Sequence, residues 1–472
     1  MTLPGFLTGH VLVAGAGVSG LGAARLLADL GVTFTVADDN EVSRNNVRDI
    51  TGAPTVTVSE ARESLQNYSL VVTSPGWRPD SPLLVEAISA GIEVIGDVEL
   101  CFRLDRAGVF GAPRTWLVVT GTNGKTTTTG MLASMMTQAG ERTGLTAVAC
   151  GNIGLAVSDA LTSDERVDIL VAELSSFQLH WSSELIPDAG VLLNLADDHI
   201  DWHGSFEAYA DAKAKVLQAP IAVAGVDDEF VLQWVHATGR DDIIGFTLNQ
   251  PETGQIGVVD GFITESHADI WTRIASAEGI EPPGQAGVFD ALAAAAVARS
   301  QGATPEDIEQ ALRNFQVDGH RGAVVHRAGG VQWVDNSKAT NPHAAHSALE
   351  GAGTIAWIAG GQLKGAAIDP LIEAHKDQFR AVGLLGIDRE ILADAFARIA
   401  PNVPVLVSES TDPDEAMAEV VKFVAHEVKS GDSVLLAPAA ASLDMYTGMA
   451  HRGDVFAQAA RANAIIPEPE EG

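Results

Sequence analysis

The chain has 472 residues, enough for about three domains, and its 46% hydrophobic and 19% charged residues describe a globular protein with ample core. A formal charge of −33, from 29 Lys and Arg against 62 Asp and Glu, with no basic tract, argues against a nucleic-acid or anionic-membrane surface. The two cysteines, Cys101 and Cys150, give neither a disulfide framework nor a CxxC metal knuckle and fit a reducing compartment.

Residues 1–24 carry no Asp, Glu, Lys or Arg, yet there is no basic n-region, and Gly15, Gly17, Gly20 and Gly22 sit where a strand-to-helix turn needs them. No other apolar run reaches the roughly 20 residues that span a bilayer. The expectation is a cytoplasmic protein without membrane insertion. His10–Val13 is predicted as a buried strand, Leu21–Leu30 as a helix, and Phe34–Val36 as a second strand ending at Asp38-Asp39. The acidic pair lies about 20 positions after the glycines, as in a nucleotide-binding βαβ unit. Alone, this unit would suggest a dinucleotide oxidoreductase. Leu70–Gly76 and Ile92–Ile95 read as further strands, and Gly108–Pro113 as a linker.

The second module opens with Trp116-Leu-Val-Val-Thr-Gly-Thr-Asn-Gly-Lys-Thr-Thr-Thr-Thr129, an apolar strand that breaks into a Gly loop and then a helix. Gly121 and Gly124 let the backbone turn its N–H groups inward, Lys125 adds a cation, and Thr126 offers a hydroxyl to Mg²⁺: a phosphate cradle at a helix N-terminus. Val119 stands where the GxxxxGK[ST] pattern has its first Gly. Asp168–Glu173 is a buried strand with a carboxylate at its C-terminal end, and Val191–Asn194 repeats the pattern before Ala196-Asp-Asp-His199. Glu173 and His199 could each serve Mg²⁺, directly or through water; hard cations prefer the oxygen ligand, and His199 could equally be structural. A helix over Phe206–Leu217 carries Lys213 and Lys215, which bare inspection leaves as solvated lysines. Residues 221–270 read as short strands with turns, and Phe289–Ser300 as an Ala-rich helix.

The third module starts at Gly319-His-Arg321, and Val331–Val334 is predicted as a strand running into Asp335-Asn-Ser-Lys338-Ala-Thr-Asn341-Pro342. Asn341 as N-cap and Pro342 at the first helical position mark a helix start. Strands at Ile355–Ile358, Val382–Leu385, Val405–Val407 and Ser433–Leu436 alternate with helical stretches such as Ala416–Val428. Lys338, Lys364 and Ser442 all fall in loops just past strand ends, which points to an anionic ligand there. The tail Pro467–Gly472 is acidic and expected to fray. A nucleotide loop, a triphosphate loop and a second cationic mouth together suit a ligase joining a nucleotide-tagged acid to a small anionic partner.

The segments GTNGKTTTT (121–129), GNIG (151–154), ELSSFQL (173–179), DDHIDWHG (197–204), AKAKVL (212–217), GHR (319–321), DNSKATNP (335–342) and PAAASLDMY (438–446) resemble the Mur ligase family of peptidoglycan precursor synthesis. Within it they resemble the branch that adds D-glutamate to UDP-N-acetylmuramoyl-L-alanine. The resemblance implies an α/β chain of three domains: a Rossmann-like UDP-substrate domain (1–108), a P-loop ATPase-like central domain (109–317) and a Rossmann-like amino-acid-binding domain (318–472). It implies ATP and two Mg²⁺ ions as cofactors, a monomer, and an acyl phosphate attacked by the D-glutamate amine.

Residue by residue, the resemblance assigns Gly121, Thr122, Asn123, Gly124, Lys125, Thr126 and Thr127, with Arg321, Asn336 and Lys338, to ATP. It assigns Val18, Ser19, Asp38, Asp39, Ser74, Gly76, Asn152, Ser175, Gln178 and His199 to the UDP-substrate, and Thr340, Lys364, Ser442 and Leu443 to D-glutamate. Lys125, Glu173, His199 and Lys213 become the catalytic set. Thr126, Glu173, His199 and Lys213 become metal ligands, Lys213 as a carbamate whose anionic oxygens suit Mg²⁺ where an ammonium would repel it. Two departures stand out: the family's Asn-bearing segment reads here as Ala286-Gly287 and Asp290, and a common pocket aromatic reads as Met449, with Tyr446 the nearest ring to replace it.

Overall fold

The computed structural model describes residues 3–268, 270–316, 319–349 and 353–463. The 317/318 boundary and the acidic tail Pro467–Gly472 lie outside the described residues. Three sheets form. The first joins β1 (Val11–Ala14), β2 (Phe34–Ala37), β3 (Thr55–Val56), β4 (Leu70–Thr73) and β5 (Glu93–Gly96), all parallel, in the order β3-β2-β1-β4-β5. Val11, Leu12, Val13 and Ala14 are all buried, as expected of a parallel strand covered on both faces.

The second sheet joins β6 (Thr115–Thr120), β7 (Ala147–Gly151), β8 (Ile169–Glu173), β9 (Ala189–Leu192), β10 (Ile221–Gly225), β11 (Ile244–Phe246), β12 (Gln255–Val259), β13 (Phe262–His267) and β14 (Ile270–Ser276). Their order is β14-β13-β12-β11-β10-β9-β6-β8-β7, with antiparallel pairing confined to β12, β13 and β14. The third sheet joins β15 (Ala323–Ala328), β16 (Val331–Asp335), β17 (Ile355–Gly360), β18 (Phe379–Leu385), β19 (Val405–Val407) and β20 (Ser433–Leu436) in the order β15-β16-β20-β17-β18-β19.

Several predicted helices shift. The first runs over Val18–Asp29 rather than Leu21–Leu30, because Gly17 takes the N-cap and the glycine motif runs into the helix. Phe206–Leu217 is an α-helix only to Ala214, then tightens to a 3₁₀ turn over Lys215–Gln218. Residues 221–270 are not all strand and turn: Glu229–Thr238 is helical, capped by Asp228, whose side chain accepts from Phe230 N and Val231 N, and closed by left-handed Gly239. The Ala-rich helix starts at Gln285, and the Ala416–Val428 stretch is helical over Pro413–Glu427, with Asp412 as cap.

The first two sheets belong to one compact unit and the third to another. In the first unit, the helix Asp97–Arg106 that follows β5 is tied into the second sheet. Asp105, fully buried, accepts from Arg114 Nη1 at 2.8 Å, Arg114 N at 2.9 Å and Trp116 Nε1 at 3.0 Å. Arg114 Nη2 donates to Leu161 O at 3.0 Å, and Arg106 bridges Arg114 O and Asp188. The predicted linker is thus a fastened corner. Arg114→Ala would leave a buried carboxylate without its partner and should cost about 3–5 kcal/mol by urea unfolding; a loss below about 1 kcal/mol would contradict this fastening.

Candidate active site

In the first sheet the strand order reverses direction between β1 and β4, the crevice where open α/β sheets take ligands. Val18 is 88% exposed at the head of its helix beside this crevice. Ser74 Oγ is buried without a hydrogen-bond partner among the described residues. A Cβ on Gly15, whose φ is +101°, would lie 2.7 Å from that oxygen, so the glycine keeps the crevice open. Asp38 shapes it: its carboxylate accepts from Ala16 N at 2.7 Å and Asn40 N at 2.8 Å, while Asp39 accepts from Val58 N at 3.0 Å. Ser19 lies in the first turn of the helix Val18–Asp29, and burial pushes the Asp97 carboxyl up to about 6. Gly76 is exposed at the turn after β4.

In the second sheet, β6 lies between β9 and β8, so the phosphate loop, Glu173 and Asn194 leave three adjacent strand ends. Gly124 has φ +81° and a Cβ there would sit 2.2 Å from Asp290 Oδ1; one on Gly121 would sit 2.7 Å from Leu193 Cβ. Both glycines are required by close approach. The helix Lys125–Thr143 starts directly after them, and the first turn of a helix carries N–H donors with no intrahelical acceptor. Lys125 Nζ donates to Gly121 O at 2.9 Å and Thr122 O at 2.8 Å. Thr126 is partly exposed in the first turn, whereas Thr127 is buried. These residues fit a triphosphate.

The structure separates the two candidate lysines. Lys213, 2% exposed, donates to Gly121 O at 2.6 Å and approaches Thr120 Oγ1 at 3.4 Å. Lys215 instead donates to Leu179 O, His180 O and Ser182 O, closing the end of the helix Ser176–His180. Tyr209, one turn before Lys213, holds Thr122 Oγ1 at 2.8 Å. Buried Glu173 accepts from Asn152 Nδ2 at 3.0 Å, and its carbonyl from Asn152 N at 2.8 Å. Ser175 and Gln178 are engaged with each other as a capping box. His199 takes a left-handed φ of 55° ahead of Ile200–His203, its ring edge-on to Phe177 at 4.7 Å. Among the described residues no three His, Cys, Asp or Glu are gathered as a metal cluster. A divalent ion here would draw on Glu173, the Thr126 hydroxyl, His199 and oxygens from phosphate or a Lys213 carbamate.

In the third sheet, β16, β20 and β17 are neighbours, and their following loops carry Asn336, Lys338 and Thr340; Ser442 and Leu443; and Lys364. The loops are stitched together: Asn336 N donates to Leu436 O at 2.8 Å, Ala439 N to Ala339 O at 3.0 Å, and Gln362 and Ala441 exchange backbone bonds of 2.9 Å. Lys364 takes φ 53°; Ser442 is buried and Leu443 is 72% exposed. Arg321, partly buried, precedes β15, and its neighbour His320 bonds Asp335 Oδ2 at 2.6 Å while accepting Lys338 N at its carbonyl. Burial raises the Asp335 carboxyl above its ordinary range.

Sequence reasoning missed Arg452. Fully buried, its guanidinium donates to Ser337 Oγ and O, Gly360 O and Ala440 O, one bond or more into each of the three loops. Its partners are neutral oxygens distant in sequence, so no local motif announces it. Burial lowers it only to about 10, leaving it charged near neutrality. Tyr446 is buried and its hydroxyl donates to Pro413 O at 3.2 Å; Met449 O accepts from Ser337 Oγ at 2.7 Å.

Residues 9–96 match the Mur ligase MurD-like N-terminal domain, 119–298 the Mur ligase middle domain, and 320–440 the Mur ligase glutamate ligase domain. The chain is 57% identical over 457 residues to the UDP-N-acetylmuramoylalanine–D-glutamate ligase of Corynebacterium efficiens, covering 97% of this chain and 95% of that one. It is 43% identical over 482 residues to the enzyme of that name from Mycolicibacterium smegmatis, covering 96% of each. In fold it is similar to MurF from Acinetobacter baumannii (TM-score 0.59, 16% identity, 96% of this chain and 93% of that one). It is also similar to a pseudomurein peptide ligase type C from Methanothermus fervidus (TM-score 0.58, 15% identity, 96% and 100%).

A ring cluster beside the site has its own signature. Burial first, then neighbouring cations, hold His180 and His203 down to about 4. Unfolded histidines take up protons below about pH 6.5, so between there and about pH 4 the unfolded chain binds more protons and stability is lost as pH is lowered. His180→Phe, which keeps a ring against Trp181 and Trp202, should flatten that acid limb in melting temperatures measured from pH 7 to 5. An unchanged slope would contradict the buried neutral ring.

Proposed function

Because the chain belongs to the Mur ligase family, we propose that it joins D-glutamate to UDP-N-acetylmuramoyl-L-alanine through an acyl phosphate, turning ATP into ADP and phosphate. The observation that carries this reading is the convergence of Lys125 and Lys213 on the Gly121 carbonyl beneath a helix N-terminus, with Glu173 on the adjacent strand end.

A free carboxylate is a poor acylating agent. In the first step an oxygen of the L-alanyl carboxylate attacks the γ-phosphorus and ADP departs. In the second the D-glutamate nitrogen, having given up one ammonium proton, attacks the acyl carbon; the C–O bond to phosphate breaks, and a second proton passes from the nitrogen to the departing phosphate. Protein catalysis of such transfers is positioning and charge neutralisation. Gly121–Thr127 would cradle the triphosphate and Lys125 would swing from the loop carbonyls to the β- and γ-phosphates; the resemblance assigns Arg321, Asn336 and Lys338 to ATP. Val18, Ser19, Asp38, Asp39, Ser74 and Gly76 would hold the uridine end; Asn152, Ser175, Gln178 and His199 would hold the muramoyl-alanine end. Thr340, Lys364, Ser442 and Leu443 would receive D-glutamate, with Lys364 answering a carboxylate. Thr126, Glu173, His199 and carbamylated Lys213 would hold Mg²⁺, two ions in this reading, which when bound would supply charge neutralisation on the phosphates. No helix among the described residues is long and apolar enough to cross a membrane. We place the enzyme in the cytoplasm, as a monomer.

The test is D-glutamate- and UDP-substrate-dependent ADP release, one ADP per amide formed. Lys125→Ala should lower kcat by about 10²–10³; undiminished ADP release would remove Lys125 from the mechanism. Lys213→Ala should be inactive and partly restored by short carboxylic acids, whereas full activity without additive would sink the carbamate.

A further inference from the structure

One residue outside every role above grips the phosphate loop. The β6–β9 pairing runs up to Thr120 and Leu192. Two backbone bonds carry it past the sheet: Leu193 N donates to Thr120 O at 2.9 Å, and Thr122 N to Asn194 O at 3.0 Å. There the chain turns away, Leu195 N donating to Asp228 Oδ2 at 2.9 Å. The Asn194 side chain then takes the next rung in place of backbone. Its Oδ1 accepts from Asn123 N at 2.8 Å and its Nδ2 donates to Asn123 O at 3.2 Å. A backbone N–H can only donate and a carbonyl only accept, so this pair also fixes which way the amide faces.

We infer that Asn194 is a positioning residue for the triphosphate. It acts through Asn123, locking the peptide units on both sides of that residue. This holds Gly124 in its left-handed turn and presets the N–H groups at the head of the helix Lys125–Thr143. Asparagine suits this role because it carries a donor and an acceptor spaced like a peptide group, whereas aspartate lacks the donor and alanine lacks both. A loop locked before ATP arrives binds it more tightly, because the ordering is not charged to the binding step. The inference rests on reading the loop as the ATP site.

The experiment measures binding of a non-hydrolysable ATP analogue with Mg²⁺, together with kcat and KM for ATP and the UDP-substrate. Asn194→Ala is expected to weaken the analogue, and raise KM for ATP, about tenfold, the worth of one or two neutral hydrogen bonds. Its kcat at saturating ATP should stay within about threefold, and KM for the UDP-substrate should not move, a split that general damage to the fold would not produce. Asn194→Asp keeps the acceptor for Asn123 N but sets a carboxylate beside the phosphates. It should weaken ATP at least as much, with the deficit shrinking as salt is added. Parent-like ATP affinity in Asn194→Ala, or equal weakening for both substrates, overturns the inference. Should that variant not fold, Asn194→Asp decides alone, and parent-like affinity there overturns it. If the unaltered protein binds no ATP analogue, the ATP reading falls and the inference with it.

Discussion

The Gly121 carbonyl is where the chemistry of the first unit is anchored. Two lysines reach it, Lys125 from the helix that follows the loop and Lys213 from a helix almost a hundred residues on, at 2.9 and 2.6 Å. That meeting requires the loop backbone to lie against Leu193, just past β9, which leaves no room for a side chain at Gly121, and to pass close to Asp290 with a left-handed turn at Gly124. It also requires Tyr209 to hold Thr122 from below. With a formal charge of −33, the protein can present cations to phosphate only by such local concentration; at physiological salt, charges beyond about 8 Å are largely screened.

The two units solve their local problems by different means. In the first, charged side chains at a corner, Asp105 with Arg114 and Arg106 with Asp188, fasten the helix after β5 to the second sheet. In the second unit a single buried guanidinium, Arg452, collects carbonyl and hydroxyl oxygens from three loops. A buried charge is costly to desolvate, and here hydrogen bonds to neutral oxygens offset that cost. The result is a set of loops whose relative positions depend on one side chain in the helix Met449–Ala462.

Much of this was legible in the sequence. Strand ends were readable because parallel strands covered on both faces are unbroken apolar runs, and ligands gather at their C-terminal ends; that places Glu173, Lys338, Lys364 and Ser442 without coordinates. Helix starts were read late where glycine serves as cap, as at Gly17. Glu229–Thr238 was missed because its β-branched and aromatic residues mimic strand, although Asp228 and Gly239 were signals at its two ends. The separation of Lys213 from Lys215 could not be read from helix spacing, since the helix tightens to a 3₁₀ turn between them. Arg452 and Asn194 were invisible for a common reason: their partners, backbone groups and for Arg452 also the Ser337 hydroxyl, are brought close only by the fold.

In the proposed reaction the substrate carboxylate itself receives the γ-phosphoryl group at the Gly121 loop. Its most direct test is a single turnover with UDP-N-acetylmuramoyl-L-alanine labelled with ¹⁸O in the L-alanyl carboxylate, followed by mass analysis of the phosphate released. An acyl phosphate carries one of those oxygens away, so labelled phosphate is predicted; phosphate without ¹⁸O, formed alongside the amide, would contradict it.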